Sequence, residues 1–368
     1  ITASSAVCPI AAFENETKKI YAVQFHPEVT HSEYGSTMLH NFLYRVCGCT
    51  GDWNMDSFID DTVETIRKKV GDSRVILGLS GGVDSSVAAA LISRAIGRNL
   101  TCVFVDHGLM RKDEGDFVEK TFTSMFDMKF VRVNCADRFF TALKGITDPE
   151  EKRKIIGENF YEVFWGEISR QSGNGFLGQG TIYPDRIESG KDDAAKIKTH
   201  HNRVGIPEGL KFAGLVEPLR DLFKDEVRSV GEKLGIPSEL VWRQPFPGPG
   251  LGVRIIGEIT EERVHLLQEA DAVLRDEMSA CGYERELSQF FCVLPGVRTV
   301  GVMGDHRTYD DLVVIRAVTT DDFMTADWAR IPYDILARAS NRITNEVRGI
   351  NRVAYDITTK PPATVEWE

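Results

Sequence analysis

The sequence predicts an α/β protein built on a doubly wound parallel sheet, followed by a smaller α+β domain. An apolar strand at 75–79 leads through a short polar loop into an alanine-rich helix, and a continuously apolar strand at 100–105 follows. Strand, helix and strand in this order, with the second strand apolar throughout, are typical of a parallel sheet covered on both faces. Alternating proline and glycine residues near residue 247 predict a boundary, after which the separate α+β domain begins.

The loop between that strand and its helix is the most specific motif of the chain. Its residues are Ser80, Gly81, Gly82, Val83, Asp84, Ser85 and Ser86. The glycines let the backbone approach an anion, and the helix start presents unpaired N–H groups at the positive end of its dipole, so the loop is expected to bind phosphate. It lacks the lysine of the Walker motif. A carboxylate beside a polyphosphate needs a divalent cation between them, so Asp84 predicts ATP together with Mg²⁺.

Composition narrows the class of protein. The chain has 368 residues, of which 42% are hydrophobic and 27% charged, as expected for two or three globular domains. No run of 18 apolar residues and no signal-peptide pattern is found, so we expect a cytoplasmic enzyme without a membrane partner. The net charge of −11 argues against a nucleic-acid partner. Seven scattered cysteines indicate reduced structural thiols.

Residues 1–50 read as the end of a larger domain. A strand is predicted at 19–25, followed by a helix with one apolar face: Met38, Leu39, Phe42, Leu43 and Val46. These two elements cannot bury their apolar faces alone. The His-Pro-Glu between them resembles the last motif of class I glutamine amidotransferases. That resemblance implies that His26 is the general base for a cysteine nucleophile and that Glu28 orients it. Cys8 precedes Pro9 and does not fit the nucleophile, so we expect a truncated amidotransferase; an ordinary surface histidine and glutamate are the alternative.

A linker at 51–55 precedes a helix for which Ser57 and Asp60 predict a capping-box start. Ile59, Val63, Ile66 and Val70 predict its buried stripe.

Two further loops are expected at the edge of the sheet that carries the phosphate loop, because ligands bind beyond the carboxyl ends of parallel strands. Arg111 follows the second strand. It is expected either to contact an anion at the site or to be a solvated loop residue, and the sequence favours neither. The other loop begins at 178–185 and continues into a charge-dense run, 186–201, that is typical of a mobile lid. The adjacent His200 and His201 do not predict zinc.

The C-terminal part begins where proline and glycine alternate, at 246–252. We therefore predict three domains, 1–50, 51–246 and 247–368. The last contains a helix at 261–280, strands near 290–303 and 311–319, a helix at 332–348 and a strand at 352–357. Its Pro-Pro-stiffened tail is expected to dock into a site or an interface.

These motifs together resemble one family. The phosphate loop alone resembles that of the N-type ATP pyrophosphatases, which cleave ATP between the α and β phosphates. With the other motifs, the chain is similar over essentially its whole length to the glutamine-hydrolysing GMP synthases. The matching segments include QFHPEVTH, VILGLSGGVDSSV, TCVFVDHGLMR, GQGTIYPDRIES, IKTHHN, VEPLRDLFKDEVR, FPGPGLGVR and KPPATVEWE. The resemblance implies an amidotransferase segment, an ATP pyrophosphatase domain and a dimerisation domain, in a cytoplasmic homodimer.

The resemblance also implies the reaction. Xanthosine 5′-monophosphate (XMP) attacks the α-phosphorus of ATP, pyrophosphate leaves, and ammonia derived from glutamine displaces AMP from the adenylated nucleotide to give GMP. Loop 80–86 would hold ATP, with Asp84 on Mg²⁺ and Lys198 as a catalytic residue. Asp185, Glu188 and Lys191 would also bind ATP or magnesium. The XMP site would comprise Arg111, Gln289, Arg352, Lys360 and Glu366.

Two other functions stay open from the residues alone. The phosphate loop is also compatible with a tRNA-thiolating pyrophosphatase, although the acidic net charge disfavours an RNA partner. The third possibility is a nucleotide-binding or dimerisation module without turnover. The reaction products distinguish these three functions, because GMP synthesis forms GMP and releases AMP and pyrophosphate.

Overall fold

The computed structural model describes residues 1–29, 32–171, 175–188, 210–320 and 323–368. These residues divide into two compact units, Ile1–Phe58 and Ile59–Glu368. Within the described ranges, no helix has both the length and the apolar character needed to cross a membrane.

The first unit contains a hairpin and a short helix. Strands β1 (Ala12–Asn15) and β2 (Ile20–Val23) pair antiparallel, and α1 (Gly35–Asn41) continues into a π-helical turn, Phe42–Val46. Apolar side chains on these elements stay between 42% and 49% exposed: Ile20, Val23, Phe42 and Leu43. One hairpin and one helix offer too little surface to cover them, as the sequence predicts.

Helix α2 (Met55–Val70) begins three residues before the start that a cap at Ser57 predicts. Asn54 caps it, because its Oδ1 accepts a hydrogen bond from the Ser57 amide at 3.0 Å. The predicted capping box at Ser57 and Asp60 is therefore wrong. The predicted apolar stripe of this helix is confirmed, since Ile59, Val63, Ile66 and Val70 are its buried residues.

The second unit opens with the predicted parallel sheet. Its elements are β3 (Val75–Gly78), α3 (Val83–Ile96), β4 (Leu100–Asp106), α4 (Glu114–Met125), β5 (Lys129–Asn134), α5 (Ala136–Leu143), α6 (Pro149–Gln171), β6 (Phe176–Gly178), α7 (Tyr183–Glu188) and β7 (Gly214–Val216). The strand order is β5-β4-β3-β6-β7, and every pair is parallel. The chain builds outward from β3 to β5 and then returns to the other side of β3. The switch point lies between β3 and β6, and the loop after β3 starts there.

An α+β layer follows, as predicted. Its elements are α8 (Lys224–Lys233), α9 (Ser238–Val241), a 3₁₀ turn (Gly250–Arg254), α10 (Glu261–Ala280), β8 (Gln289–Val293), β9 (Arg298–Met303), β10 (His306–Thr319), β11 (Asp327–Trp328), α11 (Tyr333–Glu346) and β12 (Ile350–Asp356). The long strand β10 pairs antiparallel with β8, β9 and β11, and parallel with β12. Helix α10 packs on β8 and α11 on β12, so the sheet buries one face against helices.

The parallel sheet has its own hydrophobic cluster, which contains Ile76 of β3. A second cluster joins Phe139 of α5 and Ile156 of α6 to Leu251 of the 3₁₀ turn, Leu267 of α10 and Ile315 of β10, all at most 2% exposed. This second cluster crosses the predicted junction near residue 247. The three domain boundaries stay predictions.

Candidate active site

The loop after β3 is fixed by its own serines. Ser85 Oγ and Ser86 Oγ donate hydrogen bonds to the Gly82 carbonyl at 3.0 and 2.8 Å, and the Ser80 amide donates to Ser85 Oγ at 3.2 Å. Gly81 has φ +73°, a conformation that favours glycine. The chain then enters α3 at Val83. The result is a preformed turn at a helix N-terminus, which is a favourable place for phosphate oxygens.

Asp84, in the first turn of α3, pairs with a lysine that sequence reasoning did not single out. Lys224 Nζ, from the first residue of α8, lies 2.8 and 2.6 Å from the Asp84 carboxylate oxygens. The two side chains are 31% and 42% exposed, so both face an opening. The only sequence signal for Lys224 is its place in the segment VEPLRDLFKDEVR. An ammonium and a carboxylate therefore share the mouth of the phosphate loop.

The loop after β6 packs directly on the phosphate loop. A Cβ at Gly180 would lie 3.1 Å from the Asp84 carbonyl carbon and the Ser85 nitrogen, so only glycine fits without a shift. Asp185, in the first turn of α7, accepts a hydrogen bond from the Ile182 amide at 3.2 Å. Glu188 ends α7. Lys191 and Lys198 lie outside the described residues, together with most of the predicted lid.

Arg111 is a buried cation beside other arginines. Its side chain stacks 4.5 Å from the centre of the Phe246 ring, and its residue is 9% exposed. Among the described residues its buried Nε has no hydrogen-bond partner. Burial, and then the positive charges of Arg275 and Arg243, lower the pKa of Arg111 well below its usual value. A group in such surroundings is stabilised by an anion.

Arg243 connects Arg111 to the phosphate loop. Its Nη1 donates to the Gly81 carbonyl at 2.8 Å, and its Nη2 pairs with one carboxylate oxygen of Glu114. The other oxygen of Glu114 accepts the Arg111 amide at 3.0 Å. Sequence reasoning missed Arg243, because nothing local in the chain relates it to Gly81.

The C-terminal tail docks, as predicted, and brings two of the predicted XMP residues together. Gln289 Nε2 donates to Glu366 Oε1 at 2.9 Å. The same carboxylate receives two hydrogen bonds from Arg254, whose guanidinium lies 5.2 Å from the Phe246 ring centre that Arg111 also covers. The Phe246 ring therefore contacts both Arg111 and the guanidinium that binds Glu366.

Two predicted XMP residues have other partners. Lys360 Nζ donates to the Phe323 carbonyl at 2.6 Å, and the Lys360 backbone pairs with Ala326. Arg352 is exposed on β12 and its Nη2 lies 3.5 Å from the Val300 carbonyl. The structure gives no contact that joins either side chain to Glu366.

In the first unit, His26 Nδ1 lies 2.8 Å from Glu28 Oε1, and the two side chains are 78% and 60% exposed. A backbone hydrogen bond, and then the bond to His26, lower the pKa of Glu28. Cys8 Sγ lies 3.4 Å from Gln24 Oε1. The two side chains are in hydrogen-bond contact, and their roles as base and orienter stay a prediction.

Fold and sequence families agree on the class of protein. Residues 55–161 match the NAD synthase family, residues 1–46 match the class I glutamine amidotransferases, and residues 276–367 match the GMP synthase C-terminal domain. The chain therefore combines an NAD synthase-like ATP pyrophosphatase fold with an amidotransferase segment and this C-terminal domain.

Curated relatives give the family. The GMP synthase [glutamine-hydrolyzing] of Acetivibrio thermocellus is 61% identical over 361 residues, 98% of this chain and 71% of the relative. That of Ruminiclostridium cellulolyticum is 60% identical over 368 residues, 100% of this chain and 72% of the relative. This chain belongs to the glutamine-hydrolysing GMP synthase family. A solved NH3-dependent NAD synthetase from Campylobacter jejuni is 13% identical, covering 51% of this chain and 77% of its own, with a TM-score of 0.39.

Proposed function

We propose that this chain converts XMP to GMP with ATP and ammonia, through an adenyl-XMP intermediate. The observation that carries the proposal is the position of Arg243, which bonds the Gly81 carbonyl and pairs with Glu114. Because Glu114 also fixes the Arg111 amide, one arginine ties the loop suited to ATP to a residue suited to XMP. A reaction between two nucleotides needs such a fixed relation between their sites.

In the first step, the C2 oxygen of XMP attacks the α-phosphorus of ATP and pyrophosphate leaves. Negative charge on the leaving pyrophosphate is stabilised by the N–H groups of the loop at 80–86 and by the Lys224 ammonium. We assign Asp185, Glu188 and Lys191 to ATP binding as well, and Lys198 to catalysis. In the second step, ammonia attacks C2, the C2–O bond breaks, and AMP leaves with that oxygen.

Asp84 is suited to Mg²⁺. Magnesium is usually bound by one or two carboxylates together with substrate phosphates, and Asp84 has a partly exposed carboxylate at the phosphate loop. Its two oxygens bind Lys224 in this structure, so binding of the cation would require the Lys224 ammonium to move from Asp84 to the phosphates. When bound, the ion would neutralise charge on the β- and γ-phosphates of ATP. Within the described residues, no group of three or more His, Cys, Asp or Glu side chains is arranged to hold a metal on its own.

The XMP phosphate is a dianion, and we assign Arg111, Arg352 and Lys360 to it, with Gln289 and Glu366 beside them. The unpartnered Nε of Arg111 and the hydrogen bond between Gln289 and Glu366 support this assignment. We further propose, as the resemblance implies, that in the intact enzyme ammonia comes from glutamine hydrolysis, where His26 would be the base for a cysteine nucleophile and Glu28 its orienter.

We propose a cytoplasmic homodimer as the working state, as the family resemblance implies. Val300 and Val302 on β9 and Tyr309 on β10 support a self-association surface, since they are 49%, 79% and 57% exposed.

The test supplies ATP, Mg²⁺, XMP and ammonium chloride, so that it does not depend on glutamine hydrolysis. We expect GMP, AMP and pyrophosphate in equal amounts, measured by chromatography. Formation of ADP would overturn the proposal, and so would ATP binding without any turnover.

The Asp84→Asn variant tests the magnesium assignment. We expect turnover to fall by roughly 100-fold or more, because the charge that holds the cation is lost. The matched control is Asp60→Asn. That side chain is 80% exposed, and its distance of 3.9 Å from Arg94 Nη2 makes a weak ion pair. Wild-type turnover in a folded Asp84→Asn protein would refute the role.

A further inference from the structure

Three cations with no exposed side-chain surface hold the C-terminal tail, residues 357–368. They are Lys152 of α6, Arg254 of the 3₁₀ turn and Arg316 of β10. Arg316 donates to the carbonyls of Thr358 and Thr364. The other two bind the carboxylates of the tail.

The contacts of Lys152 with Glu368 and of Arg254 with Glu366 fix where these two carboxylates lie. Lys152 Nζ donates to Glu368 Oε2 at 2.5 Å and to the Ile255 carbonyl at 2.8 Å. Arg254 binds Glu366 through Nε at 2.9 Å and Nη2 at 2.8 Å, so both oxygens of this carboxylate are engaged. A bidentate pair fixes the plane of a carboxylate as well as its position.

Stability alone does not account for this arrangement. Removing charges from water is costly, and apolar residues of similar volume are often as stabilising as a buried ion pair. The tail also has an apolar anchor, Val365, which packs in a cluster with Phe291, Val314 and Ala326. An ion pair supplies orientation that an apolar contact lacks.

One anchoring residue, Lys152, lies on a helix that packs against the strand leading into the phosphate loop. Helix α6, which contains Lys152, packs against β3 and β4. The Arg254 guanidinium stacks 3.9 Å from the Phe291 ring centre and 5.2 Å from that of Phe246, and the same Phe246 ring supports Arg111. The tail is therefore placed relative to the parallel sheet and not only to its own sheet.

We propose that Lys152 and Arg254 are positioning residues for XMP. They act through Glu368 and Glu366 and hold the tail, with the Glu366 carboxylate, in register with the phosphate loop. This inference rests on the proposed function for the identity of the ligand. Neither Lys152 nor Glu368 belongs to the assigned XMP site, so their pair can be removed without deleting a ligand contact.

The decisive variant is the double substitution Lys152→Met with Glu368→Met, which replaces the ion pair by apolar side chains. It avoids the unpaired buried charge that either single substitution would leave. The control is Lys154→Met, two residues along the same helix, where the lysine is 71% exposed. XMP binding is measured by calorimetry without ATP, the KM for ATP by turnover, and tail mobility by hydrogen exchange of residues 357–368.

In the double variant we expect the Kd for XMP to rise about 10-fold or more while the KM for ATP stays within about 2-fold. Tail amides should exchange faster, and the Lys154→Met protein should behave like the wild type. An unchanged Kd for XMP in the folded double variant would overturn the inference, as would an equal loss for ATP and XMP. Failure of the proposed function would give a different result, because the wild-type protein would then bind XMP but make no GMP.

Discussion

Arg111 lies close to two other arginines. Burial, and then the positive charges of Arg275 and Arg243, lower the pKa of Arg111. Arg243 and Asp84 are instead paired with opposite charges, Glu114 and Lys224. Positive charge concentrated in a partly dehydrated cleft attracts phosphates strongly, since water screens it poorly there. Two nucleotides would satisfy more of these groups than one.

His107, just after β4, is expected to make stability depend on pH. It is 3% exposed, it packs on Phe139, and burial lowers its pKa to about 4. In the unfolded chain the pKa of histidine is about 6.5, so below that pH the unfolded state binds more protons. The contribution of His107 is complete above about pH 6.5 and is lost as the pH falls towards 4.

We expect this residue to remove about 2 kcal/mol of unfolding free energy between pH 7 and pH 5. His107→Asn keeps an acceptor for the Leu109 amide, which His107 Nδ1 binds at 3.1 Å, but does not titrate. Urea unfolding of both proteins at the two pH values isolates the effect. Equal losses in the two proteins would contradict the prediction.

At the scale of elements, the loop between β6 and α7 packs closely on the start of α3, beside the phosphate loop. We expect Gly180→Ala to raise the KM for ATP about 10-fold, because its Cβ must displace the backbone at Asp84 and Ser85. XMP binding should not change. The readouts are steady-state kinetics and calorimetry.

The matched control is Gly166→Ala in the middle of α6, where a Cβ meets no atom within 4 Å. There we expect an unchanged KM and a gain of about 0.5–1 kcal/mol in unfolding free energy, since alanine favours helix. An ATP KM in Gly180→Ala no higher than in this control would show that the close contact has no function.

The sequence predicts the body of a regular helix more closely than its ends. The helix at 261–280 is found as Glu261–Ala280, because its apolar spacing and its Thr260 cap agree. The start of α2 was misplaced, because Asn54 reaches the cap position from the linker. Periodicity locates the middle of a helix, whereas its end depends on which nearby side chain reaches the free amides.

At the scale of the whole molecule, the hydrophobic cluster that crosses residue 247, together with the packing of α6 on β3 and β4, predicts that residues 59–368 unfold cooperatively. Ile156 of α6 is 2% exposed and belongs to the same cluster as Leu251 and Ile259. Ile156→Ala should remove about 2–4 kcal/mol from both the parallel sheet and the C-terminal sheet. Hydrogen exchange of β3 and β10 amides in low denaturant measures the two losses separately.

Tyr333→Ala is the control for that experiment, because Tyr333 is 89% exposed and its loss should cost less than about 0.5 kcal/mol. A loss confined to β10, with β3 unchanged, would mean that the segments before and after residue 247 are independent domains. The predicted boundary would then describe folding as well as sequence.

The sequence by itself determined the parallel sheet, the phosphate loop, the C-terminal α+β layer and the family, because these follow from local patterns and contiguous motifs. The tertiary structure alone decided which distant groups meet. Lys224 reaches Asp84 across 140 residues, Arg243 reaches Gly81 across 162, and Lys152 reaches Glu368 across 216. No local propensity encodes such pairs. They form because burying the shared core fixes where each element lies, and only then do their charges come within hydrogen-bonding distance.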